Sequence, residues 1–172
     1  MEKINKSFII LLLLVLICFN CERGLEPVEG IQGTVSFPVD SASGAVIWPD
    51  NLQGAFVIIA EFQYPLYDSI DSLFAHLVTY SDPLDTSEKE QDYFIQLKPG
   101  YYLGGVVGVT LSVTKLLFLP LDSLTAHPNY FKPIGLYAPP GSAFPMGTIR
   151  VWEDEITEDI DITIDYDLEL PF

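Results

Sequence analysis

The sequence predicts an all-β fold, a single antiparallel β-sandwich of about seven or eight strands. Three stretches carry that expectation. Asp92 to Val109 reads as two strands joined by a tight turn. Tyr93, Ile95 and Leu97 alternate with Phe94, Gln96 and Lys98, and Tyr, Leu and Val resume beyond Pro99–Gly100. Pro presets φ for the first central position of a turn, and Gly supplies the positive φ that a type II turn needs next. Asp159 to Leu170 alternates without a slip. Ile160, Ile162, Ile164, Tyr166, Leu168 and Leu170 share one face, and Asp159, Asp161, Thr163, Asp165, Asp167 and Glu169 share the other. Ala55 to Phe62 is an almost continuous apolar run, rich in β-branched residues and too short for a helix. It fits a central strand. A hairpin must bury one face, so more sheet has to pack against it.

Taken in order, the chain of 172 residues starts with Lys3 and Lys6 ahead of an unbroken apolar run, Phe8 to Phe19. That run has the length of a signal-peptide core and falls short of the ~20 residues a membrane-spanning helix needs. No Ala or Gly lies between Phe8 and Arg23, so the usual small-x-small cleavage pattern is missing. Cys18-Phe19-Asn20-Cys21 stands there instead. A Cys directly after an apolar core resembles a bacterial lipoprotein box, whose thiol is acylated. Asn20 departs from the usual Gly, Ala or Ser, and Cys18 from the usual Leu. The alternative is an uncleaved anchor in which both cysteines are small hydrophobes. The expected organisation is a lipoprotein signal peptide over 1–20, lipidation at Cys21, a polar tether over 21–29 and the sandwich over 30–172. With Cys18 removed and Cys21 lipidated, the domain has no disulfide, no Cys-based zinc site and no thiol nucleophile. Its stability must come from an ordinary core, for which its length suffices.

Gly30 to Phe37 is the first strand, with Ile31, Gly33, Val35 and Phe37 on one face; Pro38 ends it. Asp40 to Asn51 is a loop carrying Trp48-Pro49. Pro65 breaks the chain after the apolar run. Asp68 is placed to cap one helical turn, and Leu73 to Tyr80 alternates weakly, as a strand would. Ser81 to Gln91 is a polar loop holding Asp82, Asp85, Glu88 and Glu90. Beyond Val109 the pattern degrades: Thr110 to Leu121 is apolar but irregular, and His127 to Tyr137 is interrupted by Pro128, Pro133 and Gly135. Ala138 to Gly147 is a loop, Thr148 to Trp152 a strand, and Glu153-Asp154-Glu155 a turn. Nothing repeats at a fixed period, so the chain holds one domain.

Gly33-Thr34-Val35 opening a strand, and Leu97-Lys98-Pro99-Gly100-Tyr101-Tyr102 turning into an apolar strand, resemble the transthyretin-like (prealbumin-like) sandwich of carboxypeptidase regulatory domains, an Ig-like architecture. Trp48-Pro49, Gly135-Leu136-Tyr137 and Ile160-Asp161-Ile162 also resemble segments of uncharacterised bacterial lipoproteins. The resemblance covers most of residues 30 to 167 and implies a module for folding, association or attachment. It does not extend to the transthyretin-like hydrolases, which use several His and Arg residues; this chain offers His76, His127, Arg23 and Arg150.

The residues point to no catalytic constellation. His76 and His127 sit in unrelated segments with no ligand spacing. Ser41 and Ser43 lie in a loop without a nucleophile-elbow pattern. Gly104-Gly105-Val106-Val107-Gly108 falls within a strand and lacks the phosphate-loop Lys and Ser/Thr. The formal charge is −16, and removing residues 1–20, with Glu2, Lys3 and Lys6, takes it to −17. A chain this acidic repels nucleic acid and anionic surfaces. Calcium is the one cofactor its oxygens would suit, through Glu153, Asp154, Glu155, Glu158 and Asp159 or the Asp82 to Glu90 loop, though neither has EF-hand spacing. Tyr64, Tyr67, Tyr130, Phe131, Tyr137 and Phe144 form either a binding platform or lids on the core. The expectation is a lipid-anchored protein of the cell envelope, bound to a bacterial membrane, whose sandwich is a non-catalytic binding or assembly module for a protein or glycan partner. The alternatives are an envelope hydrolase using carboxylates, and a fibre- or pilus-type subunit exchanging its C-terminal strand.

Overall fold

The strand-forming runs separate into two sheets. The computed structural model describes residues 28–111, 130–141 and 146–170. Residues 1–20, Cys21, residues 22–27 of the expected tether, His127 and Phe144 lie outside the described residues. Within them are nine strands and one short helix: β1 (Gly30–Ser36), β2 (Gly54–Glu61), α1 (Ile70–Ala75), β3 (Leu77–Tyr80), β4 (Glu90–Gln96), β5 (Gly100–Val109), β6 (Phe131–Leu136), β7 (Thr148–Val151), β8 (Ile156–Thr157) and β9 (Ile162–Thr163). The first sheet runs β4–β1–β8, with β9 further along the same edge of β1. The second runs β3–β2–β5–β6, with β7 beside the start of β5.

The inward faces of the two sheets share one core. Ile31, Val35, Tyr93 and Ile95 of the first meet Val57, Ile59, Val106, Ile134 and Ile149 of the second. The second sheet is covered on its outer face as well. Phe56, Ile58, Val107, Val109 and Phe131 pack with Phe74 of α1, and Ala60 and Leu103 pack with Leu73 and Tyr67. Burial on both faces is why β2 and β5 read as continuous apolar runs rather than alternating ones. The first sheet keeps its outer face in water, so β1, β4 and the C-terminal segment alternate.

The Pro99–Gly100 link is not a hairpin turn. β4 bonds to β1 in the first sheet and β5 bonds to β2 in the second, so the link crosses between layers. Among the described glycines only Gly44 and Gly141 have positive φ. Gly100 instead opens β5 opposite Val151. Alternation identified both strands, but it carries no information about which partner each one takes.

The C-terminal segment also departs from expectation. It is not one antiparallel strand. β8 and β9 run parallel to β1, which makes the first sheet mixed. The cause is where β7 ends. Val151 lies at the end of the sandwich where β1 starts, so a chain turning there runs alongside β1 in the same direction. Asp159, at φ 60°, interrupts the segment, a left-handed conformation that Asp tolerates better than most residues. Alternate burial survives the break, with Ile160, Ile162 and Ile164 all inside. The segment then joins the two layers. The amide of Ile164 donates to Ser36 O (2.9 Å) and that of Asp165 to Ile134 O (2.6 Å).

Two elements differ in the middle of the chain. Leu73 and Phe74 belong to α1, and the strand is confined to Leu77–Tyr80. The N-cap is Ser69 rather than Asp68; its side chain accepts from the amide of Ser72 (3.2 Å). β6 forms despite Pro133. It pairs with β5 as the outer member of its sheet, and Pro133 sits at the register shift between Val106 and Val107, where an absent N–H costs least.

Candidate functional site

Period-2 geometry sends Gln32 and Thr34 of β1, Asp92 and Phe94 of β4, and Asp159 and Asp161 of the last segment to the outward face of the first sheet. Together with Gly33 and Tyr93 they line a shallow open groove. Its polar groups are tied to one another. Thr34 Oγ1 donates to Asp92 Oδ1 (2.8 Å), the Thr34 amide donates to Asp161 Oδ1 (2.8 Å), and Gln32 Nε2 donates to Glu158 Oε1 (3.2 Å).

The Asp161 bond is part of the ladder. In a regular parallel pair the Thr34 amide would find a main-chain carbonyl. The Ile160 carbonyl is already taken by the Tyr93 hydroxyl, which donates to it at 2.6 Å. Tyr93 lies opposite Gly33, so its ring crosses β1 where no side chain stands in the way. Burial first, then the charges of Asp161 and Tyr137, push the Tyr93 hydroxyl well above the usual tyrosine range. Tyr137 is raised too, by burial and then by Asp161 and Asp159. Both phenols are therefore neutral at neutral pH, and that of Tyr93 is a donor.

Asp161 accordingly acts as a main-chain substitute. Asp161→Asn keeps an Oδ1 acceptor and relieves crowding among acids, so stability should stay within about 0.5 kcal/mol of wild type. Asp161→Ala leaves the Thr34 amide without its partner and should cost about 1 kcal/mol or more. Urea midpoints of the two variants separate the roles. Equal losses would mean that the charge, not the acceptor, matters.

The other expected site residues are placed as follows. Glu153, Asp154, Glu155, Glu158 and Asp159 are exposed, and so are Asp82, Asp85, Glu88 and Glu90. Among the described residues no group of three or more acids, histidines or cysteines is arranged to hold a metal ion. Asp85 accepts from the hydroxyl (2.6 Å) and amide (3.0 Å) of Ser87, which hold its carboxyl below the usual range. Ser43 is engaged similarly: its amide (2.7 Å), its hydroxyl (3.0 Å) and the Ala42 amide (2.8 Å) all donate to Asp40, whose carboxyl is lowered. His76 places Nδ1 2.9 Å from Ser72 O and stacks beside Tyr67, the two ring centroids 5.3 Å apart. Of the aromatics, Tyr67, Phe131 and Tyr137 are buried in the core, whereas Tyr64 is 92 % exposed.

A second constellation was not legible in the sequence. Tyr101 of β5 faces Arg150 of β7. The Arg150 guanidinium carbon lies 5.3 Å from the Tyr101 ring centre and 3.2 Å from that of Trp152. Both rings are about half exposed. The only signal for this group was alternation within Thr148 to Trp152, and it becomes a cluster only through the β5–β7 register.

Comparison of the chain with protein-family models, with curated proteins and with solved structures returned no match.

Proposed function

We propose that this protein is a lipid-anchored component of the cell envelope whose β-sandwich serves as a non-catalytic binding or assembly module. The observation that carries the reading is the position of Cys21. It follows the apolar run Phe8 to Phe19 after a single residue, Asn20, and precedes the first strand, which starts at Gly30, by nine residues. That is the layout of signal core, acyl acceptor, short tether and domain. Acyl chains contribute about 0.8 kcal/mol per buried CH₂, enough for several together to hold a small domain at a bilayer. The two-layer architecture supports the transthyretin-like reading, since Gly33-Thr34-Val35 lies in β1 and the Pro99–Gly100 link leads into the central strand β5. The outward face of the first sheet is the module's presented surface. Asp92, Asp161 and Glu158 are engaged in hydrogen bonds to Thr34 and Gln32, which favours a preformed polar surface over paired acids set apart for acid–base work.

Inhibition of lipoprotein signal peptidase should leave an unprocessed precursor. Cys21→Ser should abolish incorporation of labelled fatty acid and move the chain out of the membrane fraction. Labelling that survives Cys21→Ser would end the lipoprotein reading.

A further inference from the structure

Among the described residues, six of the eleven exposed large apolar side chains gather at one end of the sandwich. β1 and β8 start there and β4 ends there, with Gly30 facing Gln96 and Ile156. β5 starts and β7 ends there, with Gly100 facing Val151. Main-chain bonds close this end: Leu97 N to Glu29 O (3.2 Å), Gly30 N to Glu155 O (3.3 Å) and Phe62 N to Tyr101 O (2.9 Å). The amide of Asp154 adds a bond to Glu29 Oε1 (3.1 Å). Val28, Tyr101, Trp152 and Ile156 are exposed on it, and the chain leaving β2 at the same end carries exposed Tyr64 and Leu66. Apolar exposure this concentrated marks a contact surface.

What covers it follows from where the chain enters. Val28 is on this end, so residues 1–27 join the domain here. Six residues, 22–27, separate Cys21 from Val28; the seven steps between them span at most about 3.6 Å each when fully extended, roughly 25 Å in all. A tether that short holds this end at an effective concentration in the millimolar range, so weak partitioning is enough to seat it. Trp and Tyr are the side chains that settle at headgroup level. Arg150, stacked on Trp152, has a stem that can lie along apolar surface while its guanidinium reaches phosphate. Charge selects the kind of surface. Glu29, Glu153, Asp154 and Glu155 stand at this end against Lys98 and Arg150, so an anionic bilayer repels it and a zwitterionic one does not.

We propose that this end of the sandwich rests on the bilayer, with Trp152 and Tyr101 among zwitterionic headgroups and the groove of the first sheet turned to the side. The inference rests on the anchored reading, and the test separates the two. The full chain, expressed in cells and purified from membranes, is incorporated into phosphatidylcholine vesicles with or without bromine near the top of the acyl chains. Trp152 is one of two tryptophans; Trp48 is packed between Phe37 and Tyr166, and Phe37 follows the opposite end of β1. Brominated lipid should remove the Trp152 share of the emission. Trp152→Phe should abolish that loss, and replacing half the lipid by phosphatidylglycerol should reduce it. A chain that carries lipid label but is not quenched overturns the contact and leaves the anchor standing. Quenching without lipid label keeps the contact and removes the anchor. A chain that neither floats with vesicles nor is quenched removes both, and quenching that persists in Trp152→Phe shows that another end faces the membrane.

Discussion

Replacing Ile162 by Asp unfolds the domain. Ile162 is 1 % exposed and packs in the core shared by both sheets. A Cβ added at Gly135 would meet its Cγ2 at 2.9 Å, which places Ile162 hard against β6 while its main chain pairs with β1. Losing the buried side chain costs about 1.5–3 kcal/mol, and an unpaired buried carboxylate adds several kcal/mol more. A domain of this size is stable by only about 5–15 kcal/mol, so most or all of that is consumed. The expected result is no cooperative thermal transition and little soluble protein. Ile162→Val is the control, at a cost of about 0.5–1.5 kcal/mol. A melting temperature equal to wild type for Ile162→Asp would mean that the segment is not in the core. A strand exchanged between copies predicts something different: a folded, soluble monomer that no longer assembles. The contacts of Ile162 with β1 and β6 of its own chain favour unfolding.

What the sequence disclosed and what it concealed divide along physical lines. Burial is local and leaves a trace in composition. Ala55 to Phe62 is apolar throughout because both its faces are covered, and Ile160, Ile162 and Ile164 are inside because alternate positions of an extended chain face one way. Pairing is not local. Tyr93 to Leu97 reads the same whether its partner is the following strand or β1, so the crossing at Pro99–Gly100 passed for a turn. The direction of the last segment was hidden for the same reason, since alternation is identical in parallel and antiparallel strands. β6 was obscured by Pro133 and Gly135, residues that argue against a strand except at an irregular edge, where they stand here. The groove was least legible. Thr34 and Asp92 are 58 residues apart, and Thr34 and Asp161 are 127 apart; only register brings them together. The proposed lipidation at Cys21 is a different kind of reading, because a sorting signal would be read as linear sequence and needs no fold to be seen.

Gly33→Ala should be the most damaging change of a single methyl group. An added Cβ would stand 3.0 Å from the Ile160 Cα and closer still to its carbonyl carbon and oxygen. These are main-chain atoms, so no rotamer change relieves the clash, and β1 and the last segment have to separate. Separation breaks several bonds that converge on this point. The Ile160 amide donates to Gln32 O (3.1 Å), the Tyr93 hydroxyl donates to Ile160 O (2.6 Å), and the Thr34 amide donates to Asp161 (2.8 Å). Overpacking alone costs about 1–3 kcal/mol, and each bond lost adds about 1 kcal/mol, so a loss of about 4 kcal/mol is expected. Gly141→Ala makes the contrast. Gly141 has φ 77° and nothing within 4 Å of an added Cβ, so only the left-handed backbone penalty of about 1 kcal/mol applies. Urea denaturation of the two variants measures the difference. Hydrogen exchange locates it: in Gly33→Ala the amides of Ile160 and Ile164 should lose protection first, ahead of those between β2 and β5. Equal midpoints for the two variants would show that β1 and the last segment do not approach as closely as the ladder through Gly33 requires.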